Sequence, residues 1–387
     1  MLKSESLERK AYSIDSIRKL ARSELPLPIF DYADGGAGDE STLRNNRFDF
    51  DKYSLIPQPL NGAGVRDLSL EIFGQRISLP VMIGPTGLSG LFWPDGESEI
   101  AKAAKAMGTG FCLSHGSVCT IEDIAAVDIS PRWMQVFIYK DRGFTREFCE
   151  RAYRSGFDAL VLTIDNQIPG KRERDLVNGF TIPPNFSLQS YIKMFPKYKW
   201  LWRMRSALRH ITFGNYTRLG EVEELSVLAA RMADLLDPQM DWSDVEWLRK
   251  IWKRPLLIKG ILHPDDATKA LDLGVDGVIV SNHGGRQLDG VVSSILALEE
   301  IVARIEAKIP IFLDGGIRRG SDVIKAIALG ADACLIGRPQ LWGVAIGGQA
   351  GVEKVLTILR EEIDMAMALC GVSSISEISR QLIYDLK

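Results

Sequence analysis

The sequence predicts an α/β protein closed into a barrel of eight parallel strands, each followed by a helix, a (β/α)8 architecture. Three observations carry this. From residue 80 onward, short apolar runs recur with helical stretches between them. Polar groups gather at the C-terminal end of every run. Glycine-rich turns follow the last two.

The runs, in order, are Pro80–Thr86, Gly110–Ser114, Trp133–Ile138, Ala159–Asp165, Pro255–Gly260, Gly277–Asn282, Pro310–Gly315 and Ala333–Arg338. Several are apolar at nearly every position, as strands covered on both faces should be. The first ends in Thr86 and the second in Ser114; the third carries Gln135 and the fourth Thr163 and Asp165. The fifth ends in Lys259, the sixth leads into His283 and Arg286, the seventh ends in Asp314 and the eighth in Gly337 and Arg338. One polar end is ordinary turn chemistry. Eight converge, in a closed barrel, on one mouth, where active sites are built.

Length and composition agree with one large soluble domain over residues 1–387, since barrels of this kind occupy one domain of that size once loops are inserted. The chain is 46% hydrophobic and 25% charged, and 47 Lys and Arg against 50 Asp and Glu leave a net charge of −3, so no general affinity for nucleic acid follows. Five cysteines (Cys112, Cys119, Cys149, Cys334, Cys370) form no CxxC pair, which argues against a zinc site or a disulfide framework and suits a reducing cytosol. The charged N-terminus lacks the apolar core of a secretion signal. The uncharged stretch Ile77 to Trp93 is interrupted by Pro80, Gly84, Pro85, Gly87 and Gly90, so it reads as buried strand and loop, not as a membrane span.

The sixth run opens onto Ser281-Asn-His-Gly-Gly-Arg-Gln-Leu-Asp-Gly290. A strand that ends this way aims a base, His283, and a cation, Arg286, into one small volume, the layout for removing a proton beside a carboxylate. After the seventh and eighth strands, Leu313-Asp-Gly-Gly-Ile-Arg-Arg-Gly-Ser321 and Ile336-Gly-Arg338 bring glycines, a helix N-terminus and arginines together. These suit a phosphate. His115 also follows a strand but has no arginine or carboxylate at turn spacing, and the expectation is an ordinary hydrogen-bonded histidine. His210 and His263 show no catalytic setting, and no cluster of ligating residues suggests a metal.

These motifs, with Lys259-Gly260, Phe30-Asp-Tyr-Ala-Asp-Gly-Gly36 and Gln135-Val-Phe-Ile-Tyr-Lys-Asp-Arg142, resemble the FMN-dependent L-2-hydroxy acid dehydrogenases and oxidases, a family that includes mandelate and lactate dehydrogenases and glycolate oxidase. The resemblance runs from about Ile14 to the C-terminus in the same order. It implies a TIM (β/α)8 barrel binding FMN, and oxidation of an L-2-hydroxy acid to the 2-oxo acid. In that reading His283 is the base and Asp165 stabilises its imidazolium; Arg286, Arg172 and Tyr32 bind the substrate carboxylate. Lys259 stands beside the pyrimidine edge of the flavin, and Gly87, Ser114, Gln135 and Thr163 hold the ring. Asp314 binds the ribityl chain, and Gly315, Gly316, Arg318, Gly337 and Arg338 the phosphate. A homotetramer is also implied. The rival readings are a flavin-binding but catalytically altered partner protein, and another phosphate-binding barrel such as an FMN-dependent isomerase.

Two departures shape the substrate expectation. The family places a tyrosine where this chain has Phe137, and loss of that hydroxyl weakens transition-state stabilisation by a few kcal/mol unless a neighbour or water replaces it. Tyr139 shares the inward parity of Phe137 but lies further up the loop. Slower turnover of simple acids, or a substrate that brings its own polar group, is expected. Glycolate oxidases carry a tryptophan where this chain has Gly116, which opens space for an aryl or long substituent unless His115 or Phe92 fills it. Gly87 favours a dehydrogenase over an oxidase, and the acceptor, whether oxygen, a quinone or a carrier protein, is not legible.

Between the fourth and fifth strands lies an insertion, residues 176–220, without an acidic residue. It carries Lys193, Lys197, Lys199, Arg203, Arg205, Arg209 and Arg218, interleaved with Tyr191, Phe195, Tyr198, Trp200, Trp202 and Phe213. Basic charge with interfacial tryptophans is how a peripheral segment binds an anionic membrane, here through residues 186–215. That placement is similar to the membrane-binding segment of mandelate dehydrogenase and implies a cytoplasmic protein peripheral on the inner face of the plasma membrane. An active-site lid or a subunit contact is the alternative.

Overall fold

The computed structural model describes residues 9–179, 197–209, 211–216 and 235–385. Eight parallel strands close on themselves in sequential order: β1 (Val81–Ile83), β2 (Phe111–Leu113), β3 (Arg132–Val136), β4 (Ala159–Thr163), β5 (Leu256–Ile261), β6 (Gly277–Val280), β7 (Ile311–Asp314) and β8 (Ala333–Ile336), which pairs back onto β1. Each lies inside or against one of the eight apolar runs. The hydrogen-bonded parts are shorter because the polar ends of the runs leave the ladder to line the mouth. At β5 the strand instead continues one residue past Gly260, with a register irregularity between Lys259 and Ile261.

Alternation explains both the core and the mouth. Inward residues of successive strands include Met82, Cys112, Trp133, Val161, Leu257, Ile279, Phe312 and Leu335, which pack together as the barrel interior. Two residues further along six of these strands the inward position turns polar: Ser114, Gln135, Thr163, Lys259, Ser281 and Asp314. A two-stranded hairpin, Leu70–Ile72 with Gln75–Ile77, closes the opposite end, where Phe73 packs 6.1 Å from the ring of Trp133 and 6.5 Å from that of Phe312. The outward faces of the strands pack against the helices in a second, larger apolar core. The site is therefore confined to the C-terminal end.

The N-terminal helices clasp that end. In the helix Ser41–Phe48, Asn46 exchanges two amide hydrogen bonds of 2.8 Å with Asn282, and Thr42 N–H donates to Asp289 at 2.7 Å. Both partners belong to the loop that begins at Ser281. All five cysteines are buried and unpaired. Among the described residues no helix is long and apolar enough to cross a membrane.

The insertion lies between β4 and β5, and in that connection residues 180–196, 210 and 217–234, with Tyr191, Lys193, Phe195, His210 and Arg218, lie outside the described part. Within it, the helix Tyr198–Met204 corrects one expectation. Trp200 is buried, its indole N–H donating to the Leu91 carbonyl at 3.1 Å, whereas Trp202 is 69% exposed. Residues two apart on a helix face nearly opposite sides, so the two tryptophans cannot share a membrane-facing surface. Pulling Trp200 out would strand the Leu91 carbonyl at a cost of about 1–3 kcal/mol. Trp200 anchors the segment to the protein, and Trp202 with Tyr198, 67% exposed, is what the surface presents. Arg203 also turns inward, 4.2 Å above the Trp93 ring.

Candidate active site

At the barrel mouth a cavity of about 270 Å³ is lined by every candidate site residue named above except Asp165, which stands directly behind His283. Two groups of cations face it and meet at the Gly35 carbonyl, which accepts from Arg286 at 3.3 Å and from Arg338 at 2.8 Å.

His283 sits at the turn after β6. Its φ is 56°, and Gly284 and Gly285 follow at 66° and 72°. Three successive residues in the left-handed region make a sharp reversal that a side chain other than glycine tolerates poorly. A Cβ on Gly284 would lie 2.6 Å from an Arg338 nitrogen, and one on Gly285 2.6 Å from the Leu43 backbone nitrogen. The glycines are thus required by close approach, and the strained residue in the turn is the base itself. Its backbone N–H donates to Ser281 Oγ at 3.0 Å and its Nδ1 meets Asp165 Oδ1 at 2.8 Å. A carboxylate at Nδ1 keeps the proton there and leaves Nε2 as the basic nitrogen.

Beside it, Arg286 donates to the Tyr32 carbonyl at 2.6 Å, and its guanidinium lies 5.2 Å from the centre of the Tyr32 ring. Burial, then the neighbouring Arg172, pulls its pKa down to about 9. Arg172 lies 3.6 Å from Asp175. A buried guanidinium held against a second one is stabilised by an anion between them, as a substrate carboxylate supplies. Tyr32 completes this side, its hydroxyl 3.4 Å from the Gly87 carbonyl. A Cβ on Gly87 would come within 3.2 Å of the Gly116 carbonyl and 3.7 Å of the Tyr32 hydroxyl, so the glycine keeps this corner open.

The second cationic group follows β7 and β8. Burial, then Arg338, lowers the pKa of Arg318 to about 9, and Arg338 is lowered chiefly by burial. Arg338 donates to the carbonyls of Gly284 and Gly35 at 2.9 and 2.8 Å, yet its Nε is buried without a partner among the described residues. Arg338 also opens the helix Arg338–Gly347, whose N-terminal amides add positive potential. A Cβ on Gly316 would collide with the Asn46 carbonyl, and that carbonyl-lined turn is tied down by Arg47, which donates to the Gly316 carbonyl. The chemistry of these donors suits a phosphate.

A polar floor completes the lining. Lys259 Nζ reaches Asp314 Oδ2 and Ser281 Oγ, both at 2.8 Å, and Ser281 donates onward to Asp314 at 2.8 Å. Burial alone would lower the lysine and raise the carboxyl, but their mutual attraction wins in both, raising Lys259 and lowering Asp314. Both stay ionised. Gln135 accepts from the His115 backbone N–H at 3.1 Å and lies 3.4 Å from Ser114 Oγ, while Thr163 Oγ1 is buried with no partner among the described residues. That orphan hydroxyl, the fixed lysine and the buried arginine pair suit a polar ring edge and a phosphate, which is what FMN presents.

Sequence reasoning missed two participants. Ser281, quoted only as part of its motif, links Lys259, Asp314 and the His283 backbone; inward parity from Gly277 and Ile279 would have found it. His115 is the second. It stands on the cavity wall next to Gly116, whereas Phe92 packs behind Tyr32 with ring centroids 6.5 Å apart and does not line the cavity. Tyr139 does not line it either: β3 ends at Val136, so strand alternation no longer governs position 139, and the side chain lies fully buried behind His115. His263 caps the helix Pro264–Asp272 through Nδ1.

The sequence profile of the FMN-dependent dehydrogenase family matches residues 21–385. An L-lactate dehydrogenase of Alcaligenes faecalis is 43% identical over 367 residues, covering 95% of this chain and 97% of its own. An L-lactate oxidase of Nostoc sp. is 42% identical over 370 residues, covering 95% and 96%. Among solved structures, the monotopic membrane protein (S)-mandelate dehydrogenase superposes with a TM-score of 0.93 at 37% identity, over 97% of this chain and 99% of that one.

Proposed function

The chain belongs to the FMN-dependent dehydrogenase family and is an FMN-dependent 2-hydroxy acid oxidoreductase, and from that premise we propose that it converts an L-2-hydroxy acid to the 2-oxo acid with His283 as the base. The observation that carries the proposal is the 2.8 Å contact of His283 Nδ1 with Asp165, in the same cavity as Arg286, Arg172 and Tyr32.

Arg286 and Arg172 grip the carboxylate and Tyr32 adds a hydrogen bond, which fixes C2 in front of His283. His283 Nε2 takes the proton of the 2-hydroxyl, and Asp165 compensates the charge that the ring acquires. FMN, when bound, accepts the electron pair that leaves C2 with its hydrogen. Arg318, Arg338, Gly315, Gly316 and Gly337 would hold its phosphate, Asp314 its ribityl chain, and Gly87, Ser114, Gln135 and Thr163 its ring. Lys259, held charged by Asp314, supplies a fixed cation at the ring edge. Anaerobic bleaching of the bound flavin by a panel of L-2-hydroxy acids tests the reading; a flavin that no such acid reduces would remove it.

For the substrate, the open wall beside Gly116 favours an aryl or otherwise bulky substituent over glycolate, and electrons leave the flavin for a quinone, a carrier or oxygen. Phe137→Tyr is expected to accelerate flavin reduction by lactate or mandelate, because it restores a hydroxyl donor at the wall; the check is stopped-flow reduction. An unchanged or lower rate would mean that the pocket is shaped for another substrate.

We read residues 1–387 as one barrel domain that assembles as a homotetramer in the cytoplasm and meets the inner face of the plasma membrane through residues 186–215. Lys199 and Arg205 are exposed beside Trp202 and Tyr198, and a mandelate dehydrogenase of the same fold is a monotopic membrane protein. Each basic residue near an anionic surface contributes ~1 kcal/mol before screening. Co-sedimentation with anionic vesicles is expected to weaken as salt rises and to be lost when residues 186–215 are replaced by a short Gly/Ser linker. Equal binding by both proteins, or by neither, would make the segment a lid or a subunit contact. Trp202→Ala is expected to reduce the salt-resistant fraction, and Trp200→Ala to destabilise the protein instead.

A further inference from the structure

His115 has no role in the reaction as described, yet it is held in the cavity wall by contacts on several sides. Its ring stands edge-on to Phe137 with centroids 4.3 Å apart. Its backbone N–H donates to Gln135, and its Nδ1 lies 2.6 Å from the Tyr216 hydroxyl and 3.0 Å from that of Tyr139. The two hydroxyls also bond each other. Both tyrosines are buried, and Tyr139 packs in turn on Phe144 and Phe148.

Counting hydrogens fixes the tautomer. Burial raises the pKa of both phenols, so each hydroxyl carries one proton. If Nδ1 is bare, Tyr216 donates to it, Tyr139 donates to Tyr216, and every hydrogen is used. If Nδ1 carries the proton, it donates to one hydroxyl, that hydroxyl donates to the second, and the second is left with a buried O–H and no acceptor. The first arrangement avoids a buried orphan, which costs about 1–3 kcal/mol. The ring proton therefore sits on Nε2, for which the described residues provide no partner. Burial, then the nearby His283, holds the ring pKa down to about 3, so the group is a neutral N–H donor at physiological pH.

Where this donor meets a substrate follows from the four groups on C2. In the proposed reaction the carboxylate goes to Arg286 and Arg172 and the hydroxyl to His283, and FMN, when bound, would take the hydrogen. The remaining substituent faces what is left of the lining. Part of that lining is a patch of Phe137, Phe213, Leu236 and His115, tied together behind the surface: Phe213 packs on Tyr216, and Leu236 bridges to Tyr139. His115 is the polar member of this patch; elsewhere on the lining Gln287 donates to Asn166 and to the Asp165 carbonyl.

We propose that His115 is a specificity-determining residue whose Nε2–H donates a hydrogen bond to an acceptor atom on the C2 substituent, so that the preferred substrates are 2-hydroxy acids bearing a carbonyl, ether or ring-nitrogen acceptor there. The proposal rests on the oxidation of a 2-hydroxy acid in this cavity. A plain alkyl or phenyl group leaves the donor unpaired, and an isosteric group with an acceptor satisfies it. The absence of a tyrosine hydroxyl at Phe137 and the presence of this N–H beside it are then one feature of the pocket.

The experiment compares matched acids on the FMN-bound protein: 2-hydroxy-3-methoxypropanoate with 2-hydroxypentanoate, 2-hydroxy-4-oxopentanoate with 2-hydroxy-4-methylpentanoate, and 2-hydroxy-2-pyridylacetate isomers with mandelate. Flavin reduction gives kcat/KM, and calorimetric titration of the corresponding 2-oxo acids gives affinity independently of turnover. At least one acceptor-bearing member is expected to exceed its partner about tenfold in both measures. His115→Phe keeps a ring and removes the donor, and is expected to bring that ratio near one. His115→Gln, which retains an amide donor at similar reach, is expected to restore part of the preference. Ratios near one throughout the wild-type panel, or a preference that survives His115→Phe, would overturn the assignment. If the 2-oxo acids show the His115-dependent preference but no hydroxy acid bleaches the flavin, the proposed reaction fails and the recognition stands; bleaching by all acids without preference gives the reverse. If no 2-oxo acid binds and no hydroxy acid bleaches, both fall.

Discussion

Replacing His283 by Gln is expected to slow flavin reduction by about 10²–10⁴-fold, the range set by removing a positioned general base, while FMN stays bound. The separation of effects follows from the geometry. The His283 side chain can be changed while its turn stays anchored by the backbone to Ser281, and Arg318 and Arg338 follow other strands and bond backbone carbonyls, those of Ile317, Gly284 and Gly35, that the substitution leaves in place. Asp165→Asn is expected to give a comparable loss by a different route. An amide that donates to Nδ1 moves the ring proton to Nε2, so the ring remains but its basic nitrogen is blocked. Stopped-flow bleaching under anaerobic conditions measures the rate, and absorbance of the purified variants measures FMN content. A His283→Gln protein that reduces its flavin at close to the original rate would remove histidine from the reaction.

Lys259→Met is expected to be the most destabilising single change at the mouth, costing about 3–5 kcal/mol, because it strands the Asp314 carboxylate in a buried site. Lys259 and Asp314 are 5% and 15% exposed and 2.8 Å apart, and Ser281 alone would remain to bond the carboxylate. Adding Asp314→Asn removes the stranded charge and is expected to recover much of the loss, since the Ser281 hydroxyl can still donate to the amide oxygen. Urea unfolding at a fixed excess of FMN reads the stability. Without the fixed cation at the ring edge, the potential of the bound flavin is expected to fall as well. Unchanged stability in the single variant, or no recovery in the double, would mean that the ion pair is not what holds this floor together.

The barrel was legible because its signals are local. Residues two apart on a strand share a face whatever surrounds them, so the apolar runs, their polar ends and the reversal at His283-Gly284-Gly285 could be read along the chain. The same rule reached Lys259, Gln135 and Asp314, and it fails at Tyr139, where the strand has already ended. The glycine turns after β7 and β8 were readable as an anion site because glycine there answers a steric demand of the immediate backbone.

What the tertiary structure decided is which distant groups meet. His283 and Asp165 are 118 residues apart, and Asn46 and Asn282 236 apart. Nothing in either local sequence states the 2.8 Å that joins each pair. The burial of Trp200 and the exposure of Trp202 depend on which side of one short helix finds Leu91, and composition treats the two alike. His115 looked unremarkable because its partners, Tyr139 and Tyr216, lie on another strand's loop and in the insertion. Periodicity records the direction of each side chain relative to its own backbone. Closure of eight strands into a ring sets the distances between backbones, and the chemistry of this site resides in those distances.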